Sequence, residues 1–187
     1  MFGTGSIIED LSATTKKAGK VSEKAYQFLL RLEELVQLND CATALLNINS
    51  NKDSLSFSNY EKALIRNVES YCFYSSSRPQ DAIDNYKKTL NDISLPDDIL
   101  IQTTQTLATL MIGHERYNEG IDIIRSTITR LEVKTPALHL LHGKLLYFSG
   151  RHLEALRALQ EADNLLDKKT SPIREQLTLT FFSIYEA

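Results

Sequence analysis

The residues best suited to chemistry in this chain are its histidines, its two cysteines and one short glycine motif. His139 and His142 stand three apart, which puts two imidazoles on one helix face where a metal ion could bridge them. No carboxylate or cysteine stands near them at ligand spacing, so packing is the better use for both. Cys41 and Cys72 lie far apart in the sequence, in neither redox nor metal-ligand spacing, and no histidine is arranged to activate either as a nucleophile. Gly3-Thr4-Gly5 has the spacing that opens a nucleotide-binding loop, yet no strand precedes it and the third glycine is absent. No Gly-x-Ser-x-Gly elbow occurs, and the carboxylates are scattered. The expectation is a protein without catalytic residues, cofactor or metal.

Composition narrows the classes further. With 42% apolar and 24% charged residues, 187 residues can bury one substantial core. Seven glycines and four prolines are too few for the many turns of an all-β domain, so long helices with short connections are expected. A net charge of −3, from 21 basic and 24 acidic residues, gives no electrostatic footprint for nucleic acid. The basic cluster Lys16, Lys17, Lys20 and Lys24 reads as a solvated helix face. Two cysteines make no disulfide framework, the first ten residues lack the pattern of a signal peptide, and no apolar run reaches the ~18 residues of a membrane span. A soluble, intracellular and most simply cytoplasmic protein is expected.

The elements that would position any site are all helical. Residues 1–20 are small and polar and read as a flexible or briefly helical arm; 21–57 read as a helix pair with a loop, and 58–187 as a repeat array. Ser22 is a candidate N-cap ahead of Ala25, Leu29, Leu32 and Val36, and a second helix is expected over Cys41–Leu46, broken by the polar run from Asn47 to Ser54. Ser58-Asn59-Tyr60-Glu61 is a capping-box pattern, and Ser77-Arg78-Pro79-Gln80 a second start. Pro96 with Asp97 and Asp98 opens the next helix, and Gly113-His114 ends it. Thr135-Pro136 and Ser171-Pro172 pair a cap with proline at the first helical position, and Gly150 is a left-handed stop.

A small residue recurs near the start of each second helix, at Ala82, Gly120 and Ala155, spaced 38 and 35 residues apart. In the run Gly143 to Ala155, Gly143 supplies a small residue of a first helix, Gly150 the turn and Ala155 the small residue of a second helix, with Ala162 seven further on. This pattern resembles the tetratricopeptide repeat, a helix–turn–helix unit of about 34 residues. Ala108, Tyr117 to Gly120 and Thr127 resemble a weaker copy; Phe73, Ala82, Tyr86 and Thr89 resemble another, with serine where the turn glycine is usual. Thr104 and His139 stand where the family has a large aromatic residue. The resemblance spans residues 58–168 and implies an all-α fold: a right-handed α-solenoid of antiparallel helix pairs whose concave face binds protein or peptide partners.

Carried onto this chain, the concave face would hold Tyr74, Gln102, Gln105, Thr109, Lys144 and Tyr147, amides and rings suited to an extended peptide. The function implied is a non-catalytic scaffold or adaptor subunit of an intracellular assembly, of trafficking, signalling or cell-cycle type. An alternative is a co-chaperone-type adaptor gripping a C-terminal carboxylate; of that clamp only Asn67 and Lys144 are suggestive, with Gln105, Thr109 and either Leu140 or Leu141 at the other places. A third, less favoured, is an RNA-associated helical repeat. Leu177, Phe181, Phe182, Ile184 and Tyr185 give the final helix an apolar face without a second helix to cover it. That face is expected to fold back as a cap, to meet a partner or second copy, or to receive further repeats beyond residue 187, the last being the favoured expectation.

Overall fold

The computed structural model describes residues 21–51, 56–166 and 172–185, with the backbone alone described at Pro172 and Tyr185. The expected arm at 1–20, most of the expected break at 47–54 and the Ser171 cap therefore lie wholly or partly outside the described residues. Among the described residues every regular element is an α-helix: α1 Glu23–Gln37, α2 Cys41–Asn51, α3 Asn59–Ser75, α4 Pro79–Leu90, α5 Asp97–Gly113, α6 Tyr117–Arg130, α7 Pro136–Phe148, α8 His152–Leu165 and α9 Pro172–Tyr185. The chain divides into two compact units, Met1–Ile99 and Leu100–Ala187, with the division falling in the first turn of α5.

In the first unit, α1 forms as its periodicity predicts. Ser22 caps it by accepting from Ala25 N at 3.3 Å, and Ala25, Leu29, Leu32 and Val36 are its buried stripe. The capping box at Ser58 is also present, with Glu61 N donating to Ser58 Oγ at 3.2 Å and Ser58 N to Glu61 Oε2 at 2.7 Å. Glu61 does more than the motif requires. Its other oxygen accepts from Ser22 N at 2.6 Å, so one buried carboxylate ties the starts of α1 and α3 together. Burial pushes the Glu61 carboxyl up, but the bonds from Ser22 and Ser58 together outweigh it and hold it below the usual range.

The second helix runs longer than its polar sequence predicts. Asn47 Nδ2 donates to Thr43 O and Asn51 Nδ2 to Asn47 O, both at 2.8 Å, so side chains expected to compete with the helix bond back onto its own carbonyls. Two helix starts make no side-chain cap bond. The N-cap of α4 is Arg78, which makes no side-chain cap bond and is followed by Pro79 in the first turn. Thr135 is the N-cap residue of α7, but its Oγ1 is buried without a hydrogen-bond partner and caps nothing; the proline at N1 still presets the first turn.

Four connections share one turn. Asn39, Ser77, Glu115 and Gly150 have φ of 56°, 58°, 56° and 79°. At each, the left-handed residue donates to the carbonyl three before it and the next residue to the carbonyl five before it; around Ser77 these are Ser77 N to Tyr74 O and Arg78 N to Phe73 O, at 3.0 and 2.9 Å. This is the Schellman pattern of helix ends. In the last three turns an arginine follows and pairs with an acid three residues on: Arg78–Asp81 at 2.7 Å, Arg116–Glu119 at 2.6 Å and Arg151–Glu154 at 2.6 Å. In the first, Asp40 takes the arginine's place and accepts from Thr43 N at 3.0 Å.

Five residues after each left-handed residue comes a buried small one, Ala44, Ala82, Gly120 or Ala155. A Cβ at Gly120 would lie 2.8 Å from Leu145 Cδ2, and one at Gly143 only 2.6 and 2.7 Å from Leu159 Cδ2 and Cγ. These glycines therefore permit close helix approach. In the first unit α1 packs on α2 and α3, α2 on α3, and α3 on α4. In the second, α6 packs on α7, and α7, α8 and α9 pack on one another, while Thr104 and Thr127 join α5 to α6 by a buried hydroxyl pair at 2.8 Å.

Candidate partner-binding groove

In the second unit α5, α7 and α9 enclose a groove of about 490 Å3. Thr109 and Ile112 come from α5, Lys144 and Tyr147 from α7, and Gln176 and Leu179 from α9. Lys144 and Tyr147 share a wall because they stand three apart on one helix. Lys144 Nζ donates to Gln176 Oε1 at 3.0 Å, and Tyr147 OH to Ser183 O at 3.2 Å. Burial lowers the pKa of the Lys144 ammonium, whose bond is to a neutral amide. Tyr147 lies 5.4 Å from Phe148 and edge-on to His152 at 5.5 Å, and Phe148 stacks on Tyr117 at 5.7 Å, so the end of α7 is an aromatic cluster.

Of the expected concave residues the groove gathers Thr109, Lys144 and Tyr147. The Thr109 hydroxyl is used within its own helix, donating to Gln105 O at 2.8 Å. Gln102 and Gln105 are half-buried on α5 and do not line the groove, and Tyr74 is half-buried at the end of α3 in the other unit.

The final helix is partly covered. It packs on α7 and α8, burying Leu177 and Ile184 and half-burying Phe181, while Phe182 is 62% exposed. The Tyr185 side chain lies outside the described residues. Missing from the sequence reading are Gln176, Leu179, Thr180 and Ser183, which form the α9 wall. Their signal was weak because they flank the Leu177–Phe181–Ile184 stripe.

Two pairs distant from the groove also changed meaning. Cys41 and Cys72 are buried free thiols brought within hydrogen-bonding reach by the packing of α2 on α3; burial and the Cys41 thiol push the Cys72 thiol up, which suits inert core cysteines. His139 and His142 do gain neighbouring carboxylates, because α8 brings Glu154 and Glu161 to the same cavity. Even so, among the described residues no three His, Cys, Asp or Glu side chains are grouped to hold a metal ion. Nor is any described helix long and apolar enough to cross a membrane.

No protein-family model matches the chain, and no curated protein matches it either. What its fold defines is an all-α protein of helices joined by a recurring left-handed turn.

Proposed function

We propose that this chain is a helical-repeat module of the tetratricopeptide kind, a right-handed solenoid of antiparallel helix pairs that binds other proteins as a scaffold or adaptor subunit. The observation that carries the reading is the groove between α5, α7 and α9, where the Lys144 ammonium and the Tyr147 ring stand beside apolar Ile112 and Leu179. An extended peptide can place apolar side chains on such a floor and pair its polar groups along the wall. The recurrence of one turn at Asn39, Ser77, Glu115 and Gly150 supports the repeat. The Leu179 and Phe182 side chains, each 62% exposed, extend the apolar surface next to the groove.

The test is affinity purification of the whole chain from cell extract, with and without Lys144→Glu and Tyr147→Ala together. The expected outcome is loss of the specific companions in the double variant with the helical circular dichroism unchanged. Companions retained at wild-type level would remove the groove as the binding surface. A co-chaperone-type reading has one point in its favour, that Lys144 meets a neutral amide and keeps its charge for a carboxylate. Fluorescence titration with an acidic C-terminal peptide separates the two, since only that reading requires the terminal carboxylate.

A further inference from the structure

The first unit has a pocket of its own, formed by α1, α2 and α3, which the proposed groove does not involve. Phe28 of α1 and Phe57, two residues ahead of α3, line it as a stacked pair with ring centroids 5.6 Å apart. Ile48 of α2 and Ile65 of α3, both buried, complete the apolar lining.

The volume, about 170 Å3, decides how much of a ligand can enter. A cavity of about 150 Å3 holds one benzene ring, whereas sites that enclose a whole drug-sized molecule begin at roughly 300 Å3. This pocket therefore takes one side chain while the rest of the ligand stays outside. An aromatic ring suits it best, because it can extend the Phe28–Phe57 stack.

The polar lining indicates what flanks that ring. Lys62, Arg66 and Glu69 stand four and three residues apart on α3, so they share one face beside the pocket. Lys62 is exposed and Arg66 half-buried, whereas Glu69 is only 8% exposed. Glu69 Oε2 already accepts from Asn85 Nδ2 of α4 at 2.9 Å. Among the described residues neither Lys62 nor Arg66 makes an ion pair. The solvent-accessible end of this face is thus cationic, and its single acid is buried and engaged.

We infer that this pocket is a second protein-interaction site, which receives a phenylalanine side chain from a partner segment that carries acidic residues on both sides of it. The ring is the anchor, since interface energy concentrates in buried aromatic residues. Lys62 and Arg66 meet the flanking carboxylates, which sets the choice of partner and makes binding sensitive to salt.

The experiment uses the whole chain and a fluorescein-labelled peptide, blocked at both ends, with phenylalanine between two pairs of aspartates. Fluorescence polarisation should show saturable binding that weakens at least about fivefold from roughly 0.05 to 0.5 M salt. Alanine in place of the peptide's phenylalanine should weaken it at least about tenfold. Lysines in place of the aspartates should abolish it. Lys62→Glu with Arg66→Glu should reverse the preference, losing the aspartate peptide and gaining the lysine peptide, with the helical circular dichroism unchanged. Nuclear Overhauser contacts from the peptide ring to the Ile48 and Ile65 methyl groups should place the ring. Lys144→Glu with Tyr147→Ala should leave this binding at wild-type level, so that the pocket and the groove stand or fall separately. No saturable binding, or a peptide preference that the charge reversal leaves unchanged, would overturn the site. Phenylacetate competing as tightly as the peptide would make it a site for a small acid, and dimerisation of the free chain that the charge reversal abolishes would give it to a second copy; either overturns the peptide partner.

Discussion

The α3–α4 and α7–α8 pairs are joined by the same left-handed turn, but their crossings are filled in opposite ways. Seven residues before the turn residue, α3 carries Ser70 and α7 carries Gly143. At Ser70 the hydroxyl donates to Arg66 O at 2.7 Å and accepts from Asn85 Nδ2 at 3.1 Å, within a buried network that includes Glu69. At Gly143 there is no side chain, and Leu159 takes the space. One crossing is held by hydrogen bonds and the other by close apolar contact. Two helix pairs can thus share one turn while the chemistry of their crossings differs.

The largest effect should come from breaking the polar crossing. Asn85→Ala removes the donor shared by Glu69, Ser70 and the Arg66 carbonyl, all within 3.2 Å. With buried partners left short of a donor, the first unit should lose about 2–3 kcal/mol of unfolding free energy, measured by urea denaturation. A loss below ~0.5 kcal/mol would mean that the network contributes no more than the apolar contacts around it.

Acid should separate the two units next. Burial, with Arg125, lowers His142 to about 4, against 6.5 for an unperturbed histidine. The unfolded chain therefore binds this proton first, and stability held above pH 6.5 is lost as pH falls toward 4, with a slope of up to ~1.4 kcal/mol per pH unit for one proton. In the first unit, Glu61 lies below its usual 4.5, so its contribution is present above pH 4.5 and is lost only as pH falls through its lower folded value. Amide exchange should thus show α7 and α8 weakening between pH 6.5 and 5 while α1 and α3 hold. Parallel weakening of both would contradict the assignment of the acid response to the α7–α8 cavity.

The apolar crossing should respond to a single methyl. Gly143→Ala places a Cβ within 2.7 Å of Leu159 Cγ, a branch point in the core rather than a free chain end. The overlap costs about 2–3 kcal/mol and alanine's helix preference returns ~1, leaving a net loss of about 1–2 kcal/mol. Gly113→Ala is the control: a Cβ there meets nothing within 4 Å, and the same change should stabilise by about 0.5–1 kcal/mol. Thermal melts of both variants check the difference in sign.

Much of the fold was legible because its signals are local. The capping box at Ser58, the buried stripe of α1 and the small residues at Ala82, Gly120 and Ala155 are short-range patterns, and the structure has all three. What pairing decides was hidden. Nothing in the sequence ties Glu61 to Ser22, 39 residues away, or sets Ala158 opposite His142. The proposed groove was half legible for the same reason: Lys144 and Tyr147 share one helix face, whereas Gln176 and Ser183 depend on where α9 docks. One regularity was present but unread, the arginine one residue after each of the last three left-handed positions and the acid three beyond it. It was obscured because the residue in the turn differs each time.

That variable residue gives the smallest and most direct test of a common plan. A side chain in the left-handed region costs about 1–2 kcal/mol where glycine costs little, and Ser77 and Glu115 accept that cost at φ of 58° and 56°. Their turns keep the backbone bonds of the Gly150 turn, so their strain is held by those bonds and by packing on either side. The Arg78–Asp81 pair beside the Ser77 turn adds little, since both side chains are 51% exposed. Ser77→Gly and Glu115→Gly should each stabilise by about 0.5–1 kcal/mol after glycine's extra unfolded-state entropy is counted, and Gly150→Ala should destabilise by about 1 kcal/mol. If the three turns share one energetic plan, the gains at 77 and 115 will match the loss at 150 within ~0.5 kcal/mol in denaturant melts; a gain at one and a loss at the other would show that the shared geometry has different origins in the two units.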